Sequence, residues 1–168
     1  SPNSSTPNSY VNFNGTLFFT AYEADGGGLW KSDGTPAGTT LVKSLSYIMP
    51  RTLVVSGDTL YFGANDESGT GLWKSDGTSE GTVRIDNDQE LQVQGHPDAG
   101  GVIDLGGTLF FTADDDTHGY ELWASDGTAA GTVMLKDIYP GSSQGFEGGA
   151  SSPNSSTPNS YVNFNGTL

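Results

Sequence analysis

The heptapeptide Leu-Trp-x-Ser-Asp-Gly-Thr occurs three times, at Leu29–Thr35, Leu72–Thr78 and Leu122–Thr128, and after each a Gly-Thr pair recurs at 38–39, 81–82 and 131–132. A second anchor precedes each motif: Gly15-Thr16-Leu17-Phe18-Phe19, Asp58-Thr59-Leu60-Tyr61-Phe62 and Gly107-Thr108-Leu109-Phe110-Phe111. The tryptophans Trp30, Trp73 and Trp123 are 43 and 50 residues apart. Such a chain is constrained to build three similar units of about 50 residues, and units of this size bury a hydrophobic face only against a neighbour.

A longer period encloses the shorter one. Residues 1–17 and 152–168 both read SPNSSTPNSYVNFNGTL, an identity over all 17 positions at an offset of 151. The expectation is a tandem array with a 151-residue period, seen here as one period and the start of the next. The chain begins at Ser1 without an initiator Met, which reads as a window on something longer. The division that follows is a Ser/Thr/Pro/Asn linker over 1–9, units over 10–50, 51–100 and 101–150, a second linker over 151–160, and in 161–168 the first strand of the next copy.

Each unit has the pattern of short antiparallel strands. Runs such as Leu17–Tyr22, Gly28–Lys31 and Thr39–Lys43 are separated by Asp-Gly and Gly-rich turns, which supply the positive φ that hairpins need. Tyr10–Phe13, Thr52–Val55 and Val102–Leu105 offer a fourth strand in each unit. No segment sustains a 3.6-residue periodicity, so helix is not expected. The predicted fold is all-β: tandem four-stranded antiparallel blades, β-propeller-like, three to each 151-residue period.

Glu121-Leu122-Trp123-Ala124-Ser125-Asp126-Gly127-Thr128, with Ala129–Ile138 after it and Phe110–Gly119 before it, closely resembles the bacterial ELWxxDGT repeat. The resemblance covers residues 10–150 and implies propeller blades from a large secreted or surface protein, with no catalytic activity to carry over. The first two units carry Gly28 and Gly71 where that motif has Glu, so any role of the Glu is confined to Glu121.

Twenty acidic against six basic side chains give a net charge of -14, and residues 152–168 contribute none of it. That excess argues against binding nucleic acid through phosphates and favours cations, or mutual repulsion between neighbouring fibres. No apolar run reaches the roughly 18 residues of a membrane helix. Without cysteine there is no disulfide or thiol chemistry. The Ser-Asp-Gly element invites comparison with the Asp-box of sialidases, but Trp precedes it here and Arg51 and Arg84 are the only arginines. No other catalytic constellation stands out around His96 and His118, and the chain is not expected to be an enzyme. The three tryptophans are expected in the core, and Asp33, Asp76 and Asp126 are expected to close turns.

Two kinds of site remain. Asp114 and Asp116 alternate before His118-Gly119 in the manner of loops that wrap Ca²⁺ with carboxylate oxygens, although no bidentate Glu follows. Asn3, Asn14, Asn154 and Asn165 stand in N-glycosylation sequons; Asn3 and Asn154 fall in the linker copies and Asn14 in a hairpin turn. The expected function is a structural repeat unit of an extracellular or cell-surface filament, with the chain itself as partner through head-to-tail β units. An adhesin or carbohydrate-binding propeller module is the alternative, its partner a glycan.

Overall fold

A computed structural model describes residues 4–49, 51–85, 91–94, 101–143 and 152–158. Asn3, His96, Asn165 and the expected strand at 161–168 lie outside them.

The described residues form three antiparallel sheets of four or five strands and no helix; the second sheet takes Tyr47–Ile48 from before residue 51 and the third takes Gln92–Val93 from before residue 101. The first contains β1 (Asn8–Phe13), β2 (Thr16–Glu23), β3 (Gly26–Ser32) and β4 (Thr40–Leu45) in that order. The second contains β5 (Tyr47–Ile48), β6 (Val54–Ser56), β7 (Thr59–Asp66), β8 (Gly69–Ser75) and β9 (Val83–Arg84). The third contains β10 (Gln92–Val93), β11 (Val102–Leu105), β12 (Thr108–Asp114), β13 (Glu121–Ser125) and β14 (Val133–Lys136). A short pair, β15 (Ser142–Ser143) with β16 (Ser152–Pro153), follows.

Five strands replace the expected four in the second and third sheets because the first strand is broken: β5 and β6 both pair β7, and β10 and β11 both pair β12. The first sheet bends at the same place without breaking, through an irregularity between Asn8 and Val11 with Ser9 at φ 54. In the second unit Arg51 takes φ 64 at the matching point. A left-handed residue at these positions turns the strand, as a register shift in the first sheet and as a gap in pairing in the second.

The motif residues lock one turn three times over. In the first unit Asp33 Oδ1 accepts the Thr35 amide (2.9 Å) and hydroxyl (2.8 Å), Ser32 Oγ accepts the Gly34 amide (3.0 Å), and Ser32 and Thr39 hydroxyls meet at 2.8 Å. The same bonds recur around Asp76 and Asp126. Gly34, Gly77 and Gly127 have φ of 91, 89 and 84, which L side chains resist. At Gly38, Gly81 and Gly131 a Cβ would collide with the Asp carboxylate of the same turn. The expected turn role of the three aspartates therefore holds, and it explains the Ser, the Asp and both glycines of the motif.

These turns have an acid signature. The Thr35 amide, then its hydroxyl, holds the Asp33 carboxyl below the ordinary aspartate range; at Asp76 and Asp126 the Thr78 and Thr128 hydroxyls contribute most, then the amides. A carboxyl depressed in the folded state adds stability above its unfolded pKa and loses it as pH falls through the folded value. Melting temperature should hold steady from pH 7 to about 5 and fall below about pH 4. Replacing all three with Asn should flatten that acid limb; an unchanged limb would assign acid sensitivity to other carboxylates.

Candidate functional site

Alternation along each central hairpin divides its side chains between two faces. In β2 and β3, Phe18 opposite Lys31 and Thr20 opposite Leu29 lie on one face, whereas Leu17 opposite Ser32, Phe19 opposite Trp30 and Ala21 opposite Gly28 lie on the other. The first set is the leading face and the second the trailing face; the same division applies to the other two sheets.

The core consists of two leading-on-trailing contacts. Phe13, Phe18, Leu29 and Val42 of the first sheet pack against Leu60, Phe62, Ala64 and Trp73 of the second. Leu72, with Val54 and Tyr61, packs in turn against Leu109, Phe111, Ala113 and Trp123 of the third. Two polar details repeat as well. Lys31 Nζ donates to the Gly77 carbonyl and Lys74 Nζ to the Gly127 carbonyl, each at 3.2 Å. A Cβ at Gly77 would meet the Phe18 ring and one at Gly127 the Tyr61 ring, so each turn glycine seats an aromatic side chain of the unit before it.

Chemically matching positions differ only in what covers them. Leu60 and Leu109 are 0% and 1% exposed, but Leu17 is 41% exposed. Trp73 and Trp123 are buried as expected, whereas Trp30 is half-buried. Thr82 and Thr132 are buried and Thr39 is exposed; Gly77 and Gly127 are buried and Gly34 is exposed, with nothing within 4 Å of a Cβ built on it. Among the described residues, the trailing face of the first sheet therefore has no sheet packed on it where the second and third have one. In place of a sheet, Pro7 lies beside Phe19, Ala21 and Trp30 around an apolar cleft of about 260 Å³. At the other end Leu122 is half-buried where Leu29 and Leu72 are 0% and 1% exposed, so the leading face of the third sheet is under-covered too.

Glu121 is the residue whose importance the motif hinted at without explaining. Its side chain is fully buried and accepts three hydrogen bonds, from the Ile138 amide (3.2 Å), the Ser156 amide (3.1 Å) and the Ser156 hydroxyl (2.5 Å). A buried carboxylate needs such partners. Where Glu is missing other residues fill its place: a Cβ at Gly28 would meet Glu23 and one at Gly71 would meet Arg84, itself 3.4 Å from Asp66. Neither substitution was legible, because Glu23 comes from the neighbouring strand and Arg84 from the strand after the motif.

The acidic loop is turned on itself. Asp114 Oδ1 accepts the Asp116 amide (2.8 Å), and Asp116 Oδ1 accepts Gln92 Nε2 (2.8 Å) from β10. Asp115 accepts the Thr117 and His118 amides and faces His118 Nδ1 at 2.8 Å. Burial pushes the Asp114 carboxyl up, and the hydrogen bond to Asp115 pushes His118 up. Among the described residues no group of three or more His, Asp or Glu side chains is placed to hold a metal ion. Asp114 and Asp116 each engage one carboxylate oxygen in these bonds, and the melting temperature in millimolar calcium against chelator tests whether the loop also takes a cation: no shift removes the site. A rise with calcium would assign a cation to Asp114 and Asp116.

Asn14 (φ 51) and Gly15 (φ 79) form the exposed two-residue turn between β1 and β2. Asn154 is half-buried and its Nδ2 donates to the Pro140 carbonyl at 3.3 Å. No helix among the described residues is long and apolar enough to cross a membrane. Comparison with protein-family models, with curated proteins and with solved structures finds no match to this chain.

Proposed function

We propose that the chain is a structural repeat unit of an extracellular filament or surface fibre, joining head to tail as a series of propeller-like blades. The observation that carries this reading is the 41% exposure of Leu17 beside 0% for Leu60 and 1% for Leu109. A leading face at one end and a bare trailing face at the other make a heterologous contact, which propagates unless its rotation closes a ring. The duplicated ends fit the same reading, since residues 152–168 restate the beginning of the period. Long Ser/Thr/Asn segments with sequons at Asn3 and Asn154, and resemblance to secreted repeat proteins, favour the cell exterior. No catalytic role is proposed.

Denaturing electrophoresis of native material tests the covalent form. A ladder or a very high mass supports a continuous tandem chain. A sole band near 17.5 kDa excludes it and leaves non-covalent joining of separate chains.

One observation favours a second reading, carbohydrate binding. Tyr22 and Tyr47 are 37% and 38% exposed with ring centroids 6.1 Å apart, an aromatic pair on which a sugar could stack. A glycan-array signal lost in Tyr47→Ala would move the assignment to that class.

A further inference from the structure

The second Ser/Thr/Pro/Asn segment is not a free spacer. The Asn154 amide donates to the Gly141 carbonyl (3.0 Å), the Tyr120 amide to Ser155 Oγ (2.9 Å), the Thr157 amide to the Tyr120 carbonyl (3.0 Å) and Thr112 Oγ1 to the Pro158 carbonyl (2.7 Å). Ser156 adds its two bonds to buried Glu121. The segment is thereby seated on the unit behind it.

The identical residues at the N-terminus are seated on the unit ahead of them. The Tyr22 amide donates to the Ser5 carbonyl (2.8 Å), and Thr20 Oγ1 to Asn8 Oδ1 (2.8 Å). Ser5 is the counterpart of Ser156, yet it uses its carbonyl where Ser156 uses its amide and hydroxyl. The backbone is also alike in the two seats, with Thr6 at φ 36 and its counterpart Thr157 at φ 43. At this residue one backbone conformation therefore serves both seats.

Between the first and second sheets a single segment already does both. Behind it, a Cβ at Gly26 would meet the carbonyls of Leu45 and Ser46, and one at Gly27 would meet Ile48. Ahead, Tyr47 and Ile48 pair with Asn65 and Ala64, and the Met49 amide donates to the Gly63 carbonyl at 2.9 Å. Gly119 stands where Gly26 does, and a Cβ there would meet the Asn154 carbonyl and Ser155 Oγ.

We infer that one copy of this segment, lying between consecutive copies of the period, is a two-sided strap: it binds Tyr120, Glu121 and Thr112 behind while its other atoms engage Tyr22 and Thr20 of the unit ahead. The partner is thus the next copy of this same chain, and the inference rests on the head-to-tail reading. Its consequence is that successive periods are coupled through this segment rather than hung on a flexible tether.

The test is a chain of two periods joined by one copy of the segment, compared in thermal melts with the 168-residue chain. Coupling predicts one transition raised by on the order of 5–10 °C, and loss of that rise, measured against the 168-residue chain carrying the same replacement, when residues 152–158 at the junction are replaced by a Gly/Ser run of equal length. Ser156→Ala, a smaller change, should remove part of the rise. A rise that survives the Gly/Ser replacement overturns the strap and leaves the sheet-on-sheet contact standing. A transition at the temperature of the single-period chain, with no rise, overturns the strap and the head-to-tail reading together.

Discussion

Leu17→Glu should abolish self-association of the full chain while leaving its own melting temperature within about 2 °C, whereas Leu60→Glu should unfold it. The two leucines occupy the same position of the same motif, opposite Ser32 and Ser75 respectively. Leu60 is covered by Phe13, Phe18 and Leu29 of the preceding sheet, so a carboxylate there is buried without a partner. The cost is several kcal/mol, a large part of the stability of a domain this size. Leu17 is 41% exposed, so a carboxylate there stays hydrated in the single chain. Once a leading face arrives, the same carboxylate loses its water. Burying Leu17 contributes about 1.5–3 kcal/mol, and a buried unpaired charge reverses the sign of that contribution. Association should weaken by at least about 100-fold. Sedimentation reads the association and calorimetry the stability; equal effects of the two variants on both would show that Leu17 is covered in the single chain as Leu60 is, and would contradict the open trailing face.

Glu121→Ala should lower the melting temperature of the single chain by about 10 °C, the largest effect expected from any one polar side chain. Its removal takes the acceptor from three part-buried donors, the amides of Ile138 and Ser156 and the Ser156 hydroxyl, the last keeping only its 3.4 Å bond to the Tyr120 carbonyl. A buried donor left without its acceptor costs about 1–3 kcal/mol, and three of them are affected. Glu121→Gln keeps one acceptor oxygen and should lose less than half as much. Hydrogen exchange at Ser156 and Thr157 should accelerate in the Ala variant, since their seat is lost. A small melting shift with protection intact would mean that Ser156 holds the segment through its bond to the Tyr120 carbonyl instead.

Much of the fold was legible because the motif is local chemistry. Ser32, Asp33, Gly34, Thr35, Gly38 and Thr39 all lie within one turn, and their bonds span seven residues or fewer. Strands from Leu17–Tyr22 and Gly28–Lys31 were found within a few residues of the observed Thr16–Glu23 and Gly26–Ser32. The broken first strand was not legible, since its short piece β5 has only two paired residues and no alternation to detect. Nor was the seating of segments 5–8 and 152–158, whose Ser, Thr and Pro residues carry no hydrophobic pattern and bond to partners up to 46 positions away. Hydrogen bonds between distant backbone and polar groups leave no periodic trace in a sequence. The difference between Leu17 and Leu60 was equally silent, because identical residues become different only through what lies on top of them.

The central claim is that the exposed trailing face of the first unit accepts the leading face of the third unit of another copy. Sedimentation velocity of the full 168-residue chain over a wide concentration range tests it most directly. An open-ended, concentration-dependent series of species, multiples of 17.5 kDa, is the predicted result. A single 17.5 kDa species at every concentration would contradict it.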